Sequence, residues 1–224
     1  MEERQSLLLK EIVENYIQLA QPVGSKMLAD KFSLSSATIR NEMAELEKAG
    51  FIFQPHTSAG RVPTEAGYRY YLNHYLQTNK NLPRRLQSLL ERVVESAEGE
   101  IVIKRLAKTL AEISQNAVIV GFGPFDVYYT GLSNLFAQPE FSQVDLVREF
   151  SQIVDHLDEA LADIFDQVDG LQIYLGRDNP FGRACSFMVG EFSYKSRGII
   201  GILGPLRMDY QKNYSLLNFI SNLI

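Results

Sequence analysis

"SSATIRNEMAELEKAGFIFQPHTSAGRVPT", residues 35–64, is the stretch that decides the fold of the N-terminal part of the chain. Its first half predicts a helix over residues 36–48, with Ser36 as the N-cap and Gly50 just past the end. The run "FIFQ" predicts a short strand, "PHTSAGRVPT" a loop rich in turn-forming residues, and "RVP" a returning strand. The stretch as a whole therefore predicts a helix followed by a β-hairpin.

Two further helices are predicted before this stretch. In the first, apolar residues recur at helical spacing, at Leu8, Ile12, Tyr16 and Leu19. Pro22 and Gly24 end it, and Ser25 is positioned to cap a second helix, "KMLADKF". Only "SLS" separates the second helix from the third, and two helices joined by so tight a turn are typical of a helix-turn-helix. Together with the hairpin, these helices predict a winged helix-turn-helix.

The rest of the chain divides into two further parts. A helix "EAGYRYYLNHYL", capped by Thr64, closes the first part, and a charged helical stretch over residues 79–114 is predicted to be a connecting joint. Strand-like runs such as "NAVIVGF", "CSFMVGEFSY" and "RGIIGILGP" then mix with helical ones, including a block over residues 144–165. This mixture predicts an α+β domain with a mostly antiparallel sheet. We therefore expect a winged helix at residues 1–78, the joint, and an α+β domain at residues 115–224.

Composition and charge limit the class of protein. The 224 residues are 46% apolar and 22% charged, which is ordinary for a globular protein, and the apolar runs are too short to cross a bilayer. A single cysteine, Cys185, excludes a disulfide framework and is expected to be buried. We therefore expect a cytoplasmic protein. Within residues 1–80, nine basic residues balance nine acidic ones, so the net charge of −5 comes from the rest of the chain. A DNA-binding domain is usually more basic than this, so charge alone argues weakly against DNA binding.

The third predicted helix has two different faces. Ile39, Met43 and Leu46 form an apolar stripe that should face the other helices. The opposite side carries small or hydrogen-bonding residues, namely Ala37, Thr38, Arg40, Asn41, Ala44 and Lys48. Small residues allow close approach to a surface, and Asn and Arg suit the edges of adenine and guanine in a major groove. This pattern is typical of a recognition helix. The alternative is the solvated face of an ordinary helix, which three glutamates on the same helix favour.

The loop "PHTSAGRVPT" has three possible roles, as a phosphate cradle, a nucleophilic Ser/His pair or the tip of a hairpin. His56 and Ser58 are close in sequence, but no nucleophile elbow or Walker-type lysine accompanies them. The flanking strands favour the hairpin tip, which would direct His56, Thr57, Ser58 and Arg61 outward. An acidic helix near residue 160 is best explained as solvated surface. We therefore expect no catalytic residue, no metal and no cofactor.

Several stretches of the chain resemble a known family. "ATIRNEMAELE" followed by "QPHTSAGRVPT" is similar to the N-terminal winged helix of the bacterial heat-inducible transcription repressor HrcA family, and "YTGLSNLFAQPEFS" and "GPLRMDYQKNYSLLNFI" match later parts of the same family. The resemblance implies a repressor of heat-shock (chaperone) genes that binds an inverted-repeat operator as a homodimer and is released on heat stress. It also implies modulation by the GroE chaperonin and a second domain that is GAF-like, with a regulatory and dimerising role.

The resemblance also implies which residues contact double-stranded DNA. In the recognition helix these are Ser36, Ala37, Thr38, Arg40, Asn41 and Lys48, and in the wing His56, Thr57, Ser58 and Arg61. The chain departs from the family in one respect. Family members carry an inserted segment that helps dimerisation, whereas only "GPFDVYY" joins the strand at residues 116–122 to the "YTGLSN" motif here. We therefore expect the dimer to use the joint helices or the GAF-like sheet. The alternative function is a winged-helix protein-interaction module without specific DNA binding.

Overall fold

The computed structural model describes residues 1–142, 151 and 153–224. The chain forms two compact units, Met1–Leu76 and Gln77–Ile224. Of the predicted helical block at residues 144–165, residues 144–150 and 152 lie outside the described residues. Among the helices that are described, none is long and apolar enough to cross a membrane.

The first unit contains four helices and a two-stranded hairpin. In chain order they are α1 (Glu3–Leu19), α2 (Ser25–Phe32), α3 (Ser36–Lys48), β1 (Ile52–Phe53), β2 (Val62–Pro63) and α4 (Glu65–Tyr75). The two strands are antiparallel, and Ile52 pairs with Pro63. Val23, in the turn between α1 and α2, forms a further antiparallel bridge with Arg61. The order of elements is the one predicted from the sequence, with this bridge as an addition.

Two predicted caps are wrong by one residue. Ser35 rather than Ser36 caps α3, since its Oγ accepts a hydrogen bond from the backbone N–H of Thr38 at 3.0 Å. Gly24 rather than Ser25 is the N-cap of α2. The Ser25 and Ser36 hydroxyls instead bond to each other at 2.8 Å, which ties the starts of α2 and α3 together. Thr64 caps α4 as predicted.

The core of the first unit forms where the helices face one another. The buried residues of α3 are Ile39, Met43 and Leu46, which confirms the predicted apolar stripe. They lie with Leu8, Leu9, Ile12 and Val13 of α1, Leu28 of α2, and Tyr68 of α4 among the most buried side chains of the unit. Full burial of each such aliphatic side chain contributes about 1.5–3 kcal/mol. This packing fixes the opposite face of α3 toward the outside.

The second unit is built on one antiparallel sheet. Its elements are α5 (Arg84–Glu95), α6 (Glu100–Ser114), β3 (Ala117–Gly123), β4 (Asp126–Thr130), α7 (Leu132–Phe136), α8 (Leu157–Phe165), β5 (Gln172–Leu175), β6 (Cys185–Tyr194), β7 (Ser196–Pro205) and α9 (Tyr210–Leu223). The strand order is β4-β3-β7-β6-β5. The predicted α+β class with an antiparallel sheet is confirmed. Helices α5 and α6, in the stretch predicted to be a joint, belong to this unit.

The strands of the second unit are apolar because the sheet is largely covered. Residues Ala117–Val120 of β3 and most of β6 and β7 are buried, and Cys185 is 2% exposed, as expected for a small buried hydrophobe. Strands β3 and β4 are joined directly by a short turn at Pro124 and Phe125. Phe125 is 74% exposed at the tip of this turn. This is the position where the sequence predicts that a family insertion is missing.

Candidate nucleic-acid interface

The outward face of α3 presents donors that have no internal partner. Ala37, Arg40, Asn41, Ala44 and Lys48 are all exposed. Within the described part of the chain, the side chains of Arg40, Asn41 and Lys48 form no hydrogen bond or ion pair. The three charged or amide groups are therefore available to acceptors outside the protein, beside two alanines that leave room for close approach.

Two other residues predicted for the recognition helix have internal roles. Ser36 and Thr38 are half-buried. The Ser36 hydroxyl bonds to Ser25, and the Thr38 hydroxyl lies 2.9 Å from Ser35 Oγ at the helix start. These hydroxyls therefore help to set the direction in which α3 leaves the turn.

The glutamates of α3 are mostly neutralised within the unit. Glu42 binds Arg4 of α1, with a hydrogen bond of 3.1 Å from Arg4 Nε. Glu47 pairs with Arg61 of the hairpin at 2.9 Å. Only Glu45 is exposed and without an ion pair among the described residues. These glutamates had favoured the alternative that α3 presents an ordinary solvated surface. Two of the three carboxylates are instead bound to arginines of the same unit.

Arg61 does not point outward from the hairpin, so that expectation is wrong. Its side chain is only 14% exposed, with Nη2 held by Glu47. Its backbone N–H and C=O bond to Val23, each at 2.9 Å. The reason is the close approach of the hairpin to the turn after α1, where a Cβ on Gly60 would lie 2.4 Å from the carbonyl of Val23. Arg61 therefore belongs to the contact between the hairpin and the helices of the first unit.

The hairpin loop is closed by a side chain that the sequence did not single out. Gln54 donates from Nε2 to the carbonyl oxygens of Thr57 at 3.0 Å and Ala59 at 2.9 Å, and its backbone N–H donates to Glu47 at 2.9 Å. His56, Thr57 and Ser58 remain exposed at the tip, as predicted. The signal available in the sequence was the position of Gln54, a long amide side chain between the predicted strand and the loop.

A cleft of about 610 Å³ lies between the start of α2, the middle of α3 and the hairpin loop. Polar side chains of its lining are Ser25, Lys26, Arg40, Gln54, Thr57, Ser58 and Arg61. No carboxylate belongs to this lining among the described residues. Lys26 was not assigned from the sequence, because only the third helix and the loop were considered there. The cleft is therefore a cationic recess beside the outward face of α3.

The described residues contain no group of three or more His, Cys, Asp and Glu side chains placed to hold a metal ion. In the second unit, burial raises the pKa of the Tyr174 phenol above its ordinary value of 10.0. The interface itself presents positive charge and hydrogen-bond donors.

Comparison with known proteins decides the family. The family model described as "HrcA protein C terminal domain" matches residues 64–213, about two thirds of the chain. The chain belongs to the HrcA family. Its relatives include the heat-inducible transcription repressor HrcA of Carboxydothermus hydrogenoformans, 28% identical over 333 aligned positions that cover 100% of this chain and 97% of the relative. The protein of the same name in Brevibacillus brevis is 26% identical over 330 positions, covering 99% and 96%.

The relatives also bear on two earlier expectations for this HrcA family member. Their names describe transcription repressors, in agreement with the expectation that the chain is not an enzyme. The alignment with the first relative has 333 positions against 224 residues here, so at least 109 positions of it face a gap in this chain.

A crystal structure described as that of a hypothetical protein shares the fold, with a TM-score of 0.78, 19% identity, and coverage of 100% of this chain and 98% of that one.

Proposed function

We propose that the chain is a DNA-binding transcription repressor whose first unit is a winged helix-turn-helix. The observation that carries the proposal is the outward face of α3, where Arg40, Asn41 and Lys48 are exposed and free of partners within the described structure. The repressor names of the relatives support it. In this arrangement α3 enters a major groove, where Arg40 and Asn41 meet base edges.

The hairpin follows the DNA beside α3. His56, Thr57 and Ser58 at the tip meet the sugar-phosphate backbone or the adjacent minor groove, and Lys48 meets phosphate at the far end of α3. Arg61 supports the hairpin through its ion pair with Glu47 and does not itself read the bases. One recognition helix covers half of an inverted repeat, so two copies of the chain bind one operator.

The resemblance to the HrcA family supports a proposal for regulation. The chain represses heat-shock (chaperone) genes in the cytoplasm by excluding RNA polymerase, is released on heat stress, and depends on the GroE chaperonin to remain active. The second unit serves as a GAF-like regulatory and dimerising domain. To test this dependence, purified protein is heated mildly with and without chaperonin, and its binding to the operator is then measured. Equal binding in both samples would contradict it.

A mobility-shift titration tests the proposed DNA binding. An inverted-repeat duplex from upstream of a chaperone operon is compared with a scrambled duplex of the same composition, at matched salt because affinity falls steeply with ionic strength. We expect binding to the operator at least about tenfold tighter than to the scrambled duplex, since specific and non-specific affinities typically differ by about 10³-fold or more. Equal affinity for the two duplexes would refute the specific repressor.

A second candidate function is a winged-helix protein-interaction module without specific DNA binding. The even balance of nine basic and nine acidic residues over residues 1–80, together with the exposed Glu45 on α3, favours it. The same titration separates the candidates. An interaction module would bind neither duplex even at low salt, where charge attraction to DNA is strongest.

A further inference from the structure

We propose that the cationic cleft between α2, α3 and the hairpin loop is the seat of one DNA backbone phosphate, with Lys26 as its main charge contact. The inference rests on the proposed DNA-binding function and adds a contact outside the third helix and the loop tip. Phosphate contacts fix the register of a protein on the duplex, so this seat would set the angle at which α3 enters the groove.

The charges around the cleft suit a phosphate. Lys26 and Arg40 are exposed in its lining and form no ion pair within the described part of the chain. Arg61 lies in the wall with Nη2 bound to Glu47, while its Nε is buried and has no hydrogen-bond partner among the described atoms. Lys26 and Arg40 are therefore the two unpaired cations of a recess whose described lining holds no carboxylate, while the charge of Arg61 is already balanced by Glu47.

The backbone at the start of α2 adds donors to the same recess. The N-cap here is Gly24, which has no side chain to accept from the first N–H groups of the helix. The Met27 N–H bonds to the Gly24 carbonyl at 3.1 Å, which leaves the N–H groups of Ser25 and Lys26 without a partner among the described residues. Ser25 and Lys26 lie in this first turn and line the cleft. The Ser25 hydroxyl is engaged by Ser36, so it does not cap the helix in place of the glycine. A phosphate oxygen can take that role.

The walls of the recess are held at a fixed separation. Val23 and Arg61 exchange two backbone hydrogen bonds, and Gly60 lies so close to Val23 that any side chain would collide with it. The backbone walls of the recess are therefore preformed, which lowers the cost of ordering them when a phosphate binds.

The position of the cleft favours DNA over a free anion. Arg40 belongs both to the outward face of α3 and to the lining of the cleft, so the two surfaces adjoin. When α3 occupies the major groove, the DNA strand that borders this groove passes the recess. A backbone phosphodiester then enters it without any movement of the protein.

The test compares the salt dependence of DNA binding for the wild-type chain and Lys26→Gln. We expect the slope of log K against log salt to lose about 0.9 per bound chain, the value for one phosphate contact on B-DNA. Affinity for operator and scrambled duplexes should fall by the same factor, because a phosphate contact carries no sequence information. Lys26→Arg should retain the slope. Lys108→Gln, which removes an exposed lysine of α6 in the second unit, is the matched control and should change nothing.

Three results would separate the possibilities. An unchanged slope for Lys26→Gln, with operator preference retained by the wild type, would overturn the phosphate seat and leave the repressor proposal standing. A wild-type chain without operator preference would instead refute the repressor proposal. The third arm is a ³¹P NMR titration with inorganic phosphate. Saturable binding that is lost in Lys26→Gln, without any change in DNA binding, would assign the cleft to a free anion and overturn the DNA seat.

Discussion

Replacing Glu47 by Ala should release the hairpin from α3, because Glu47 holds the hairpin at two points. One carboxylate oxygen accepts the backbone N–H of Gln54 at 2.9 Å, and the other pairs with Arg61 Nη2 at 2.9 Å. Loss of the side chain leaves the Arg61 guanidinium, only 14% exposed, without this counter-charge. The perturbation therefore acts on the attachment of the hairpin and leaves the helical core intact.

The size of the effect follows from these two contacts. A hydrogen bond to a charged group contributes about 1.5–3 kcal/mol, whereas an exposed ion pair contributes about 0–1 kcal/mol. The Glu47 side chain is 34% exposed, so its pair with Arg61 belongs nearer to the lower range. We expect a total cost of about 2–3 kcal/mol for opening the hairpin, from the sum of the two contacts.

Native-state hydrogen exchange of the full chain measures this cost locally. The amides of Val23 and Arg61 donate to each other's carbonyl groups, so both report opening of the hairpin. A cost of about 2–3 kcal/mol should speed their exchange about 30- to 150-fold. Glu45→Ala is the control on the same helix and should change stability by less than about 0.5 kcal/mol, since Glu45 is exposed. Equal exchange rates in the two variants would refute the role given to Glu47.

Two further predictions concern packing and pH. Gly60→Ala should lower the melting temperature of the full chain, because the added Cβ would lie 2.4 Å from the Val23 carbonyl, whereas Gly123→Ala, with its nearest neighbour at 3.9 Å, should not. Burial raises the pKa of Tyr174 above 10.0, so the unfolded chain loses this proton at a lower pH than the folded chain and stability falls as pH rises above about 10. Tyr174→Phe should reduce that fall in urea unfolding at pH 9 and 11.

The helices and the outward face of α3 could be predicted from the sequence because they depend on local periodicity. Ile39, Met43 and Leu46 recur at helical spacing, and their burial fixes the opposite face without reference to other elements. The sequence does not distinguish the cap positions, since Ser35 and Ser36 are adjacent and either hydroxyl suits an N-cap. The choice between them was decided by the bond from Ser36 to Ser25 across the turn.

The environment of Arg61 and the position of Lys26 in the cleft could not be predicted, because both depend on contacts between separate elements. Arg61 was expected to point outward as a loop residue, but Glu47 on α3 and the backbone of Val23 hold it inward. Lys26 precedes the third helix and carries no motif of its own. It lines the cleft because Gly60 brings the hairpin against the turn before α2.

The most direct test of the account is base-resolved competition binding with the Asn41→Ala variant. Operator duplexes with single base-pair substitutions compete against the parent duplex, and Asn73→Ala on α4, another exposed asparagine, is the control. If α3 reads the major groove, Asn41→Ala should lose about 1–3 kcal/mol of preference at one base pair in each half-site and keep its affinity for scrambled DNA. A uniform loss at all positions, or no loss, would contradict the central claim that the outward face of α3 recognises DNA sequence.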